Sequence, residues 1–160
     1  MIIDFSNYED FPIGGYLTFA RNMISSFGSD LALAGITTSR NDPVGRWFKK
    51  KINNVEFDFF AMARYDSTKT KKIIPDRLVN YLLIKYYRKR ILDIGINNIF
   101  LQRQESLLAL SDCKRNICYS FAGLDNPLVN SKYSYGGLMA HWFEDRFFKK
   151  IGVASLILGR

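Results

Sequence analysis

Two adjacent glycines, Gly14 and Gly15, lie between an apolar opening segment and a run with helical spacing. Such a pair lets the backbone approach a ligand closely, and a helix that starts there turns its free N–H groups toward an anion. Arg103 and Glu105 form a second cluster. A guanidinium grips phosphate or carboxylate through paired hydrogen bonds. A carboxylate accepts from a sugar hydroxyl or takes up a proton as a general base. The same two residues also suit a plainer role, capping the helix after their strand. Gly123, Asp125 and Asn126 form a third cluster, with donors and acceptors for a polyol, or simply the turn chemistry that precedes Pro127. His141, the single histidine, stands beside Trp142 in an aromatic helical run and reads as a packed or surface residue. Cys113 and Cys118 have four residues between them and no nearby histidine, which is a poor zinc signature. They read as reduced, inert thiols, and no metal is expected.

These residues need elements to hold them. Met1–Phe5 reads as a buried strand. Leu17, Ala20, Ile24 and Phe27 place one apolar stripe on a helix. Leu31–Ile36 reads as a second strand, followed by a turn region from Ser39 to Gly45. Arg46–Lys51 and Val55–Tyr65 read as strands joined at Asn53-Asn54, a hairpin signal. Pro75-Asp76 opens a long helix to Asp93, closed by Gly95. Asn98–Arg103 is a strand, Ser106–Leu110 a short helix and Asn116–Phe121 a further strand. Leu138–Lys150 is helical and Val153–Leu158 is a last strand. Strands and helices alternating in this way predict an α/β fold, a Rossmann-like three-layer sandwich over residues 1–160 with a mostly parallel sheet and a small inserted hairpin. In such a sheet ligands bind beyond the carboxyl ends of the strands. Four segments reach that edge: the Gly14-Gly15 loop, Thr37–Gly45, Gln102–Glu105 and Ala122–Asn126.

The 160 residues suffice for one domain with a real core, and the 15% aromatic content argues against disorder. No stretch approaches the roughly 20 apolar residues of a membrane span. Asp4, Glu9 and Asp10 interrupt any signal-peptide pattern, so a cytoplasmic location is expected. The net charge of +8 is concentrated: residues 46–90 hold thirteen Lys or Arg against four Asp or Glu. Such a stretch is either a solvated basic face or a surface for an anionic partner. On the long helix Arg77, Lys85 and Arg88 share one side, and Lys89 and Arg90 extend the charge toward its end. With Tyr81, Tyr86 and Tyr87 they suit the headgroup layer of an anionic membrane.

Several motifs are missing. The loop lacks the Gly-x-Gly-x-x-Gly of dinucleotide sites, which argues against an oxidoreductase, and neither a P-loop nor a Gly-x-Ser-x-Gly elbow occurs. A basic nucleic-acid-binding or protein-interaction module is the alternative to an enzyme. No RNA or DNA motif is present, so no nucleic-acid partner is expected.

The order of the pieces resembles the N-terminal half of GT-B glycosyltransferases, in particular the retaining, glycogen-synthase-like "group 1" type. Gly14-Gly15 and the run through Phe27 match that family's first loop and helix. Gln102-Arg103-Gln104-Glu105 matches its acceptor-side segment, and Tyr119–Leu128 matches a strand ending in a short glycine motif. Where many members place a histidine before that glycine, this chain has Ala122. The resemblance implies an acceptor-binding half that works with a nucleotide-sugar co-substrate. The donor is held mainly by a second, C-terminal domain, expected either beyond Arg160 or on a separate polypeptide. This chain alone is then not expected to transfer sugar efficiently. It further implies surface-polysaccharide synthesis on a glycan or lipid-linked acceptor at the inner membrane face.

Overall fold

The computed structural model describes residues 1–9, 15–65, 74–121 and 136–159. Gly14, Gly123, Asp125 and Asn126 lie outside the described residues. The chain runs β1 (Ile2–Ile3), α1 (Gly15–Phe27), β2 (Leu33–Thr37), β3 (Trp47–Ile52), β4 (Val55–Arg64), α2 (Asp76–Leu92), β5 (Asn98–Leu101), α3 (Gln104–Leu110), β6 (Asn116–Phe121), α4 (Gly136–Ile151) and β7 (Leu156–Gly159), with a 3₁₀ turn at Gly28–Asp30. The seven strands form one sheet in the order β3-β4-β2-β1-β5-β6-β7. Every pairing is parallel except β3 with β4. Among the six parallel strands the chain order is third, second, first, fourth, fifth, sixth. That is the doubly wound order, and its direction reverses between β1 and β5.

Alternation along the strands builds two cores. Ile2, Leu33, Phe59 and Phe100 pack with Ala20 and Ile24 of α1 on one face. Ile3, Ala34, Phe60 and Leu101 pack on the other with Ile84 and Ile91 of α2, Leu107 of α3, and Phe143 and Phe147 of α4. The result is an α/β sandwich compatible with the Rossmann-like architecture that the alternation predicts.

Three details differ from the sequence reading. First, the hairpin is integral to the sheet. Asn53 and Asn54 turn it at φ 49° and 64°, both positive, as tight hairpins require. Only β3 is antiparallel; β4 is a full parallel strand against β2. Ile52 and Phe57 of the hairpin share the α1 core, so the hairpin extends the sheet and its buried face. Second, Phe27 ends α1 half exposed. The helix gives way there to the turn at Gly28, whose φ is +53°, before another helical turn could bring the ring onto the sheet. Third, β1 is two residues long, but its line continues through loop hydrogen bonds from Asp4 N to Ala34 O (3.0 Å) and from Ile36 N to Ser6 O (3.1 Å).

Candidate functional site: the crevice at the sheet reversal

The segment after β1 lies at the reversal point of the sheet, where doubly wound folds receive their ligands, and forms the floor of the candidate crevice there. Asp4 is 1% exposed. Its Oδ1 accepts from Arg103 Nε, and its Oδ2 accepts from Ser6 Oγ at 2.6 Å. Arg103 Nη2 also reaches Ser6 Oγ at 3.5 Å. Arg103 follows β5 and Asp4 follows β1, so this ion pair bridges the two strand ends where the sheet order reverses.

The floor continues over β2. The Tyr8 hydroxyl donates to Ala34 O at 3.2 Å. Burial, then the nearby Asp4 charge, push its phenol well above the usual tyrosine range, so it stays neutral. A Cβ on Gly35 would stand 2.6 Å from Ser6 O and 2.7 Å from the Tyr8 ring. The absent side chain is what lets this segment lie so close to β2. Asn7 closes an Asx turn by accepting from Glu9 N at 2.9 Å.

On the hairpin side Glu9 Oε2 pairs with Lys50 Nζ at 2.8 Å. Lys50, itself buried, also pairs with Asp42 and donates to Thr37 Oγ1 at 3.2 Å. Thr37 Oγ1 donates to Asp42 Oδ2 at 2.5 Å. Burial alone would lower the Lys50 pKa, but hydrogen bonds and charge from Asp42 and Glu9 outweigh it and raise the ammonium. Burial would raise the Asp42 carboxyl; Lys50 and Thr37 hold it below its usual value. Arg64 then fixes the loop after β2 by donating to the carbonyls of Ser39, Arg40 and Asp42 at 2.9–3.1 Å. The floor is thus tied to β5 on one side and to the hairpin on the other. Gly15 is the first residue of α1, the helix that packs on the same face.

Arg103 and Glu105 have separate partners. Glu105 is 2% exposed. Its Oε1 accepts from Asn80 Nδ2 at 3.2 Å, and its Oε2 stands 3.6 Å from Arg77 Nη1. The expected capping role is not seen, since no side chain caps the start of α3.

The expected anion surface is largely engaged in the same way. Lys85 and Arg88 pair with Asp112 at 3.4 and 3.7 Å, joined by Lys150 of α4 at 3.4 Å. Hydrogen bonding and charge from Lys85, then from Lys150, hold the Asp112 carboxyl below its usual value. Arg90 donates to Gly45 O at 3.3 Å and lies over the Tyr87 ring. Lys89 is exposed. α2 buries Asn80, Ile84 and Ile91 and leaves Leu82 at 52% and Tyr86 at 75% exposure.

Cys113 and Cys118 are free thiols, and burial pushes both above the usual range, away from reactivity. His141 is exposed. Among the described residues no group of three His, Cys, Asp or Glu could hold a metal ion, and no helix is long and apolar enough to cross a membrane.

Sequence reasoning missed Asp4, Ser6, Lys50 and Asp42 as site residues. The legible signal was an aspartate directly after an apolar opening strand, the first position beyond a strand's carboxyl end. Comparison with known proteins returns no matching family model, no matching curated protein and no matching solved structure.

Proposed function

We propose that this chain is the acceptor-side half of a glycosyltransferase that moves a sugar from a nucleotide-sugar donor to a glycan acceptor, in the manner of the GT-B enzymes its sequence resembles. The observation that carries the reading is the charged, hydrogen-bonded cluster of Asp4, Ser6 and Arg103 at the reversal point of a doubly wound sheet, with a glycine-led helix on the same face. Such crevices receive nucleotides and sugars. Arg103 is pre-oriented by Asp4, so a phosphate meets a guanidinium already fixed in place. The α1 N-terminus adds its favourable field for phosphate. The donor would be gripped chiefly by a second domain facing this crevice, and no metal is required of the residues here.

The acceptor we propose is lipid-linked. Exposed Leu82 and Tyr86 on α2 beside exposed Lys89 form a small amphipathic face suited to the headgroup layer of an anionic membrane. A nucleic-acid-binding module is the weaker reading, because Arg77, Lys85 and Arg88 are committed to carboxylates within the fold.

The test uses the polypeptide encoded by the complete reading frame, incubated with labelled UDP- and GDP-sugars and bacterial lipid extract. Label is expected in the lipid fraction. Gly15→Val is expected to lower transfer by roughly 100-fold, the scale of misplacing a bound reactant, without shifting the thermal midpoint. No transfer from any donor, or full transfer by Gly15→Val, refutes the proposal.

A further inference from the structure

On the sheet face opposite α1, a groove of about 300 Å³ runs between α2, the end of α3 and the second half of α4. That volume is at the lower end of those that hold small molecules. Tyr81 of α2, Leu108 of α3 and Trp142 of α4 give it an apolar wall. Trp142 keeps 44% of its surface exposed even with Arg146 lying over its ring at 4.4 Å.

The charge around this wall is one-sided. Lys85, Arg146, Lys149 and Lys150 line the groove, against a single lining carboxylate, Asp112. That carboxylate is shared. Lys85 Nζ and Lys150 Nζ each stand 3.4 Å from it, and Arg88 reaches it from behind at 3.7 Å. Lys149 lies 3.9 Å from Asp145, with both side chains largely in solvent. Even with Asp145 counted, five cationic side chains face two carboxylates around one small concavity. Like charges held this close repel one another, and a concave, partly apolar wall focuses the field that they make. An incoming anion relieves the repulsion, and the excess of more than one charge favours a dianion over a carboxylate.

We propose that this groove binds an organic phosphate monoester. The phosphate meets Lys85, Lys149 and Lys150, and the carbon skeleton packs on Tyr81 and Trp142. A free ester and a lipid headgroup both present such a group, and the experiment separates them. The site is distinct from the Asp4–Arg103 crevice and does not depend on the function proposed for it.

Three probes test this by NMR shift titration of the protein: phenyl phosphate, inorganic phosphate and benzyl alcohol. The buffer is held at about pH 8, well above the second phosphate pKa of about 6, in about 0.1 M salt to screen loose surface attraction. Phenyl phosphate is expected to bind about tenfold more tightly than inorganic phosphate, the effect of packing one ring on an aromatic wall, and more tightly than benzyl alcohol. Lys85→Gln/Lys150→Gln is expected to weaken phenyl phosphate by about tenfold or more, the loss of two charge-assisted contacts. Asp112→Asn is expected to tighten it several-fold, because the internal competitor for the same cations is gone. Equal binding of the two phosphates, equal binding of benzyl alcohol, unchanged affinity in Lys85→Gln/Lys150→Gln, unchanged or weaker affinity in Asp112→Asn, or no saturable binding of phenyl phosphate below about 10 mM overturns the proposal. If the double variant does not fold, the exposed Asp112→Asn and the ranking of probes decide. Sedimentation with phosphatidic-acid vesicles identifies the source: protein that phenyl phosphate displaces from them supports a lipid headgroup, and phenyl phosphate binding without such displacement supports a free ester.

Discussion

Replacing Arg103 by Met keeps the unbranched apolar stem of the side chain but removes the guanidinium from which Asp4 Oδ1 accepts. Asp4 is then a buried carboxylate whose remaining side-chain bond is from Ser6 Oγ at 2.6 Å. Removing one partner of a buried ion pair costs about 3–5 kcal/mol. The surviving hydroxyl and the partly exposed Arg103 reduce that to about 2–4 kcal/mol. In a domain of this size that lowers the thermal midpoint by about 4–16 °C. Asp4→Asn alone is also destabilising. The double variant Asp4→Asn/Arg103→Met regains about 1–3 kcal/mol relative to the sum, because neither group is left charged and unpaired. Urea unfolding of the four proteins measures this cycle. A loss under about 0.5 kcal/mol for Arg103→Met, within the range of ordinary surface substitutions, or simple additivity, refutes the account of the floor. Activity supplies an independent arm: the double variant recovers stability but not transfer, since the phosphate partner is gone. Recovery of both would make Arg103 purely structural.

Gly35→Ala drives a methyl against Ser6 O and the Tyr8 ring and is expected to cost about 1–3 kcal/mol; an unchanged urea midpoint would show that the floor yields freely. Stability should vary with pH through Asp42 and Lys50. The lowered Asp42 pKa gives stability present above its unfolded value of about 3.9 and lost as pH falls through the folded one. The raised Lys50 pKa gives stability present below about 10.4 and lost as pH rises through its folded value, where Tyr8 adds to the loss. Lys50→Met should therefore diminish the acid limb of a midpoint-against-pH curve, and an identical limb would count against the pairing. Leu82→Ser/Tyr86→Ser/Lys89→Ser should reduce co-sedimentation with phosphatidylglycerol vesicles several-fold, at about 1 kcal/mol per basic residue plus the lost apolar contact; equal sedimentation would remove α2 from any membrane contact.

Local chemistry was legible wherever near neighbours decide it. Asn53-Asn54 marks a turn because asparagine tolerates positive φ, and Gly95 closes α2 at φ +80° for the same reason. The α2 surface was read less well. Arg77, Lys85 and Arg88 share a helix side in the sequence, as any row of basic residues would. Glu105 and Asp112, which neutralise them, belong to the α3 region, and nothing within α2 announces their approach. Leu82 and Tyr86 are apolar yet turned to solvent, because α2 buries the Asn80–Ile84–Ile91 side instead.

The sequence by itself determined the alternation of strands and helices and the mostly parallel character of the sheet, since these follow from periodicity, turn residues and chain direction. Only the tertiary structure decided which charges meet. Asp4 and Arg103 are 99 residues apart, and they are joined because the sheet order reverses between their strands. Arg103 and Glu105 are two residues apart, and they part because one reaches the crevice and the other the buried side of α2. Local spacing governs local conformation, whereas an ion pair depends on positions in space that the whole packed sheet must first create.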